Sequence, residues 1–541
     1  MLPFKEKPAV AKLAPTEINN YTYEEALAIS LAYFDGDELA AKVFVDKYAL
    51  RGHDGTLQES NPDQMHVRMA REFGRVERRL SNPKADKREL SKYGQRREFL
   101  SIDRIYNLFK KFNLVVPQGS VMAILGNENV TGSLSNCFVL PAMTDSYGGI
   151  MYADQQLVQL QKRRGGTGLD LSALRPEGTR VNNAALTSTG LVSFMERFSN
   201  TTREVAQGGR RGASMLTCDI AHPDVEKFIT IKQDLKKVTG ANISVRLSDE
   251  FMQAVKDDKE YTHRWPIEST VENAKYKKTV RARDLWDVII KCAHNTAEPG
   301  LIFWDRQHWY SPSSVYPQFK NLSTNPCSEI AMQGGDSCRL MAMNLYGFVN
   351  KPFTPEASFD HEKFYETTYE SQRLMDDLVD LELEAVAKII AKIEADPEPD
   401  HVKRVELETW QKIRESGMKG RRTGLGFTGL ADTMAALGFR YDSADGLGFI
   451  EEMMRTKLSA EFDSSVDMAV ERGKFDGFDS HIEQTSHFVQ MMQKEFNDVY
   501  SRMMRHGRRN VSISTVAPTG TLSILTQTSS GLEPVFMTSY K

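Results

Sequence analysis

Cysteine is scarce in this sequence: Cys137, Cys218, Cys292, Cys327 and Cys338 are five among 541 residues. That number excludes a disulfide-held scaffold. No two of them form a C-x-x-C pair and no histidines cluster beside them, so the spacing of a structural zinc site is missing and no metal ligand set is expected. Long apolar runs are absent. No stretch reaches the ~18 uninterrupted apolar residues of a membrane helix, and the opening MLPFKEKPAVAKLAP lacks the apolar core of a secretory signal. A surplus of one charge is absent too: 69 basic against 73 acidic side chains leave a formal charge of −4. That balance supplies no tail for nucleic acid or anionic lipid. A bound phosphate must be gripped by local groups, not by a global field. There is no internal repeat and no low-complexity tract. These absences point to a cytoplasmic protein that contacts neither nucleic acid nor membrane.

What is present is ordinary globular composition, 40% hydrophobic and 26% charged, in a chain long enough to bury a large core. Residues 20–115 read mainly helical. EEALAISLAYFDGDELAAKVFVDKYAL repeats apolar residues at three- and four-residue spacing. The highly charged run from Asn61 to Arg97 is expected on the surface. From Val115 short apolar runs (VMAIL, NCFVLP, ISVRL) alternate with helical stretches and glycine-rich loops, which is α/β texture. The reading divides the chain into a helical N-terminal region, 1–100, and an α/β region, 101–541. Asp145-Ser146 begin a helix reaching about Arg164, where Gly165-Gly166 stop it. Residues 355–420 are helical around a surface turn, EADPEPD. VSISTVAPTGTLSIL reads as strand, turn, then strand or helix start.

The densest chemistry lies in NLSTNPCSEIAMQGGDSCRLMAMNLYGF, residues 321–348. Asn325, Cys327 and Glu329 are spaced by two. In an extended segment they would share one face, presenting an amide, a thiol and a carboxylate together. Pro326 would stiffen the arrangement. After a Gly334-Gly335 turn a returning strand would bring Cys338 to the same pocket. Read alone, each cysteine is equally a small buried hydrophobe, Glu329 a solvated glutamate and Asn325 a turn residue. Pro518-Thr519-Gly520-Thr521 is a tight turn whose backbone N–H groups and hydroxyls suit a phosphate. Asp145, Ser146 and Lys162 read blandly as a capped helix with a cation near its C-terminal end.

NPCSE followed by DSCRLMAMNL resembles the active-site loop of ribonucleotide reductases. LSNCFVLP, RRGGTGLDLSALRPEG, QGGRRGASM, RRTGLGFTGLADTMAALG and VAPTGTLSIL resemble further segments of that family. The six matches fall in family order from about residue 95 to the last residue. The resemblance implies a ten-stranded α/β barrel with a helical N-terminal region. It also implies radical reduction of ribonucleoside di- or triphosphates to deoxyribonucleotides for DNA synthesis. By resemblance, Cys327 carries the thiyl radical that takes the ribose 3′ hydrogen. Glu329 takes the 3′-hydroxyl proton and Asn325 bonds the reacting hydroxyls. Cys137 helps expel the 2′-hydroxyl, then Cys137 and Cys338 supply two electrons and become a disulfide, re-reduced by an external thiol such as thioredoxin. Ser120, Ser135, Asn136 and Pro518, Thr519, Gly520, Thr521 are the substrate candidates. Asp145, Ser146 and Lys162 are placed at a homodimer interface that binds a dNTP or ATP effector. Gln207, Arg210 and Arg211 fall in the loop that reports effector identity. Cys218 and Cys292 match no motif and are read as structural.

Glu329 argues against the glycyl-radical class, which lacks it. DSCRLMAMNLYGFVNKPFT, VQLQKRRGGTG and LTSTG with VSFMERFSNTTREVAQ look most like the adenosylcobalamin-dependent class. The competing readings are a catalytic subunit served by a separate radical-generating subunit, a catalytically silent nucleotide-binding subunit, and a thiol-dependent metal-binding protein that lacks the ligand spacing. The resemblance further places Pro-Thr-Gly-Thr in the penultimate barrel strand. A last strand and a C-terminal cysteine pair are then missing after Lys541, and a complementing C-terminal polypeptide is expected to pair with the open edge.

Overall fold

A computed structural model describes residues 20–82, 84–205, 212–535 and 537. The chain begins with helices α1 (Tyr23–Tyr33), α2 (Glu38–Lys47), α3 (Pro62–Leu80) and α4 (Ile102–Phe109). Their starts obey local chemistry. Thr22 and Glu25 form a reciprocal capping box, and Asp37, Asn61 and Ser101 each accept a backbone N–H of the following turn. Strand β1 (Val115–Pro117) and the short helix α5 (Gly119–Ile124) follow.

Five strands, β2 (Cys137–Val139), β3 (Gly166–Asp170), β4 (Ser214–Asp219), β5 (Asn242–Leu247) and β6 (Gly300–Phe303), then run parallel in sequence order. Helix α6 (Tyr147–Gln161), capped by the Ser146 hydroxyl, makes the first crossover. A two-stranded hairpin of β7 (Ser323–Thr324) and β8 (Ala331–Met332) comes next. Then β9 (Asp336–Cys338) returns antiparallel to β2 and completes a six-stranded sheet.

After the single residue Arg339, β10 (Leu340–Asn344) enters a second sheet. There it pairs antiparallel with β1 and parallel with β11 (Gly424–Thr428). The long helices α7 (His361–Ala395) and α8 (Asp400–Gly420) lie between β10 and β11 in sequence. They are separated by the EADPEPD turn, where Pro397 and Pro399 cannot continue a helix. Helix α9 (Ala444–Arg472) and the short α10 (Gly520–Thr526) close the described chain.

The α/β layout and the helical N-terminal region agree with expectation. The described strands do not close into one ten-stranded barrel: they form the six-stranded sheet, the three-stranded sheet and three two-stranded pairs. Segment 511–517 runs beside β11 but contributes a single parallel bridge, Leu425 to Ser514. Pro-Thr-Gly-Thr is therefore not in a strand. Pro518 has no N–H to give a ladder, and the chain turns there, through Thr519 at φ 50°, into α10.

The expectation that Asn61–Arg97 lies on the surface holds for most of its charges, Arg75, Arg78, Arg79, Lys87, Arg88 and Arg96 among them, and is corrected for the rest of α3. Helix α3 buries Met65, Met69, Phe73 and Val76 in a core shared with Phe44, Phe109, Val116, Met343 and Phe427. Of its charged side chains Glu77 alone is buried, while Arg75, Arg78 and Arg79 stay exposed. Glu77 is inaccessible and bonds Arg373 of α7, at 3.1 Å, and Arg472 of α9. Arg472 also reaches Asp377 at 2.9 Å and Asp376 at 3.1 Å. Burial opposes ionisation of Glu77, yet the two guanidinium groups overcome it and hold the carboxyl well below the usual range. A charge is tolerated inside because its partners are inside too, and they come from about 300 and 400 residues away.

Replacing Glu77 with alanine removes one carboxylate from this buried cluster, leaving Arg373 with Glu471 and Arg472 with Asp376 and Asp377. The expected loss is about 3 kcal/mol or more, read as a lower denaturant midpoint. An unchanged midpoint would mean that the cluster contributes nothing to stability.

Candidate functional site

The β7–β8 hairpin presents Asn325 to Ile330 as a loop, not as an extended segment. Asn325 N donates to Ile330 O at 3.2 Å, Ser328 N donates to Asn325 O at 3.0 Å, and Ser328 takes φ 65°. The expected shared face of an extended strand is corrected. Asn325 and Glu329 meet because the chain turns back on itself, and Cys327 stands exposed at the tip. The loop lies flat on β3 because β3 has no side chains there. A Cβ on Gly168 would come to 1.8 Å from the Thr324 carbonyl oxygen, and one on Gly166 to 2.8 Å from Pro326. The Gly-Gly-Thr-Gly run is thus a seat for the hairpin.

Asn325 is fully buried. Its amide donates to the Cys137 sulfur at 3.3 Å and to the Glu329 carboxylate, while its carbonyl oxygen accepts Ile330 N at 3.2 Å. Thr515 donates its hydroxyl to the Glu329 carbonyl oxygen at 3.0 Å. Gly335, at φ 76°, makes the expected turn and brings β9 back along β2. In that register Cys338 is the direct partner of Cys137. Opposed residues of an antiparallel pair have Cα atoms about 4.5–5.5 Å apart, inside the span a disulfide bridges without backbone movement. Both thiols are reduced in this structure.

Cys137, Cys327 and Glu329 line a cavity of about 200 Å³, with Gly119, Asn136, Arg164, Pro518, Thr519, Gly520 and Thr521 around it. Burial, and then the nearby Glu329 carboxylate, push the Cys137 thiol well up, although the Asn325 hydrogen bond pulls the other way. Burial and Glu329 push Cys338 up in the same manner. Burial also raises the Glu329 carboxyl, against the Asn325 hydrogen bond. The site therefore holds two protonated thiols and a carboxyl whose proton exchanges closer to neutrality than an ordinary glutamate's.

The remaining candidates divide. Asn136 accepts Ser120 N at 3.2 Å at the start of α5. Ser120 itself is fully buried and its hydroxyl has no partner in the described protein. Ser135 is buried against Ser337 at 3.4 Å and does not line the cavity. The Thr519 hydroxyl is already bonded to Thr428 and accepts Gly531 N, and the Thr521 hydroxyl bonds Tyr48 at 2.7 Å. The turn thus offers the cavity backbone more than hydroxyls. Asp145 and Ser146 line a separate cavity of about 240 Å³ with Arg175 and Thr187. Lys162, at the other end of α6, is bonded to Glu406 at 2.6 Å and is not part of it. Gln207, Arg210 and Arg211 lie outside the described residues. Cys218 and Cys292 are buried in the core around the six-stranded sheet, as expected.

Sequence reading missed Arg164 and Tyr48. Arg164 stands in the quoted RRGGTG run and could have been singled out there. Tyr48 lies among ordinary helical residues and carries no signal. Among the described residues no group of three His, Cys, Asp or Glu is placed to hold a metal ion, and no helix is long and apolar enough to cross a membrane.

Such an arrangement sets two facing thiols, an amide and a carboxylate beside one cavity. The family description "Ribonucleotide reductase, barrel domain" matches residues 135–541. The chain is 32% identical over 412 residues to a "Vitamin B12-dependent ribonucleoside-diphosphate reductase" of Mycobacterium tuberculosis, covering 76% of this chain and 51% of that protein. It is 31% identical over 427 residues to the protein of the same name from Thermoplasma acidophilum, covering 79% and 48%. It is 24% identical to a "Ribonucleoside-diphosphate reductase large subunit" of Caenorhabditis elegans, covering 74% and 51%. The chain belongs to the ribonucleotide reductase family. It spans about half the length of these curated relatives.

The thiolate, not the thiol, is the form that is alkylated. At neutral pH iodoacetamide should modify Cys327 alone in the folded protein, with Cys137 and Cys338 reacting only after unfolding. Mass mapping that finds Cys137 or Cys338 modified as fast as Cys327 would contradict their burial as neutral thiols.

Proposed function

We propose that this chain reduces ribonucleoside di- or triphosphates to 2′-deoxyribonucleotides by radical chemistry. The observation that supports this most is the Asn325 amide, bonded at once to the Cys137 thiol and the Glu329 carboxylate, with Cys338 paired across from Cys137. A catalytically silent subunit has no need of that set.

Each group suits its assigned step. Cys327, exposed at the loop tip, is the thiol a radical generator can reach, and as a thiyl it takes the 3′ hydrogen atom of the ribose. Glu329 accepts the 3′-hydroxyl proton as general base, and Asn325 orients the hydroxyls. Cys137, held protonated, donates to the departing 2′-hydroxyl, which leaves as water. Cys137 and Cys338 then give up two electrons and join as a disulfide, and the Cys327 thiol returns the hydrogen atom to the 3′ carbon and is again a thiyl. Glu329 near the pair disfavours a second negative charge, which keeps both sulfurs as hydrogen donors. An external thiol reductant restores the pair by exchange. Arg164 supplies positive charge to the cavity for an anionic substrate, and the 518–521 turn supplies backbone donors for its phosphates.

The radical source in this reading is adenosylcobalamin. Two relatives named as vitamin B12-dependent support that choice. Exposed Cys327 is the residue that would face the cofactor. When bound, it would supply the oxidising equivalent that turns the Cys327 thiol into a thiyl. We further propose that the protein is cytoplasmic and homodimeric. The cavity beside Asp145 and Ser146 takes a dNTP or ATP effector.

The deciding assay combines the purified chain with adenosylcobalamin, a ribonucleoside di- or triphosphate, an effector and excess dithiothreitol. Deoxynucleotide should form and should vanish with Cys327→Ser. Product only after adding a separate radical-generating subunit would replace the cobalamin reading, and none under any combination would sink the reductase reading for this chain.

The pH profile follows from Glu329. The carboxylate is the active form, so rate falls as pH drops through its raised pKa, and the acid limb lies above the value near 4.3 of an ordinary glutamate. Glu329→Gln should cost roughly 10²- to 10⁴-fold in kcat and abolish that limb.

A further inference from the structure

The cavity is not built by the family-matched segment alone. Tyr48, at the C-terminal end of α2 and 87 residues before that match begins, is 4% exposed and forms part of the cavity wall. Its hydroxyl bonds the Thr521 hydroxyl at 2.7 Å. Its ring lies over Gly119, where an added Cβ would stand 3.2 Å from the ring edge and 3.3 Å from the hydroxyl oxygen. The same phenol therefore touches both chain turns that border the cavity, one before α5 and one before α10.

A second contact holds the far end of α10 to the same pair of helices. Gln527, left-handed at φ 55°, donates its amide to the Asp37 carboxylate at 3.1 Å and to the Phe34 carbonyl at 3.4 Å. Between these two anchors Leu522 and Leu525 enter the core occupied by Phe34 and Phe44. The seven-residue helix behind Pro518–Thr521 is thus gripped at both ends by the α1–α2 hairpin. A helix of two turns has little stability of its own. Its position, and that of the turn before it, is set by what grips it.

We propose that Tyr48, with Asp37 and Gln527, is a positioning device for the 518–521 turn: the N-terminal helical hairpin fixes the turn so that its backbone donors face the phosphates of a ribonucleotide. This rests on the reading above that the turn receives those phosphates. Tyr48 does not act on the reacting sugar, so its loss bears on phosphate grip and not on radical chemistry.

The test is equilibrium binding of CDP and of cytidine to the full chain, wild type against Tyr48→Phe, with Gln527→Ala as a second, independent loosening of the clamp. Tyr48→Phe keeps the ring and its packing and removes one hydrogen bond. CDP affinity should fall roughly three- to tenfold, cytidine affinity should stay the same, and Gln527→Ala should shift CDP in the same direction. The melting temperature of Tyr48→Phe should be unchanged. Equal losses for CDP and cytidine, or no loss for CDP in either variant, would overturn the positioning role while leaving the cavity reading intact. A wild-type chain that binds no CDP would overturn both.

Discussion

The site depends on one close approach between backbones. The β7–β8 hairpin rests on β3 at a distance only glycine permits, with the Thr324 carbonyl where a Gly168 side chain would be. From that seat follows the position of Asn325, and from Asn325 the link between Cys137 and Glu329. A methyl group at residue 168 would lift the loop by more than an ångström, and a hydrogen-bonded triad does not survive such a shift. Neither strand nor hairpin alone specifies this: each has a shape that requires the other.

The site sits where two sheets meet. Chain direction reverses at Gly335, β9 joins the first sheet, and one residue later β10 joins the second. Arg339, buried between them, donates to Ser337 O and Arg422 O. Cys338 is consequently fixed from both sides, by its register with Cys137 and by the sheet change that follows. Reversible disulfide chemistry benefits from such a frame, since two thiols held opposite one another need little movement to join. The ionic cluster around Glu77, Arg373, Arg472 and Asp376 locks the N-terminal helices onto α7 and α9. It makes the helical region part of the same body that carries the site.

Electrostatics at the site run in one direction. Low exposure disfavours charge on Cys137, Cys338 and Glu329 alike, and the Glu329 carboxylate disfavours charge on both sulfurs. At most one of the three is readily ionised, and the carboxylate is the easiest. The cluster is then a base beside two hydrogen donors, which is the division of labour that removal of a hydroxyl from a sugar requires.

Local features were legible from the residue order. The Ser146 cap, the turn between α7 and α8 and the Gly335 reversal follow from short-range rules, and motif resemblance singled out Cys137, Asn325, Cys327, Glu329 and Cys338 as candidates. What residue order could not supply was distance across the fold. Glu77 looked like part of a solvated face because its partners, Arg373 and Arg472, lie hundreds of positions away. Asn325, Cys327 and Glu329 looked like one face of a strand because alternate spacing is the simplest way to bring three side chains together. The hairpin that in fact joins them is fixed by contact with β3. Tyr48 was invisible for the same reason. The sequence alone determined which chemical groups this protein owns and in what order they occur. Tertiary structure decided which of them meet, because burial and close approach are properties of the packed chain and not of any segment within it.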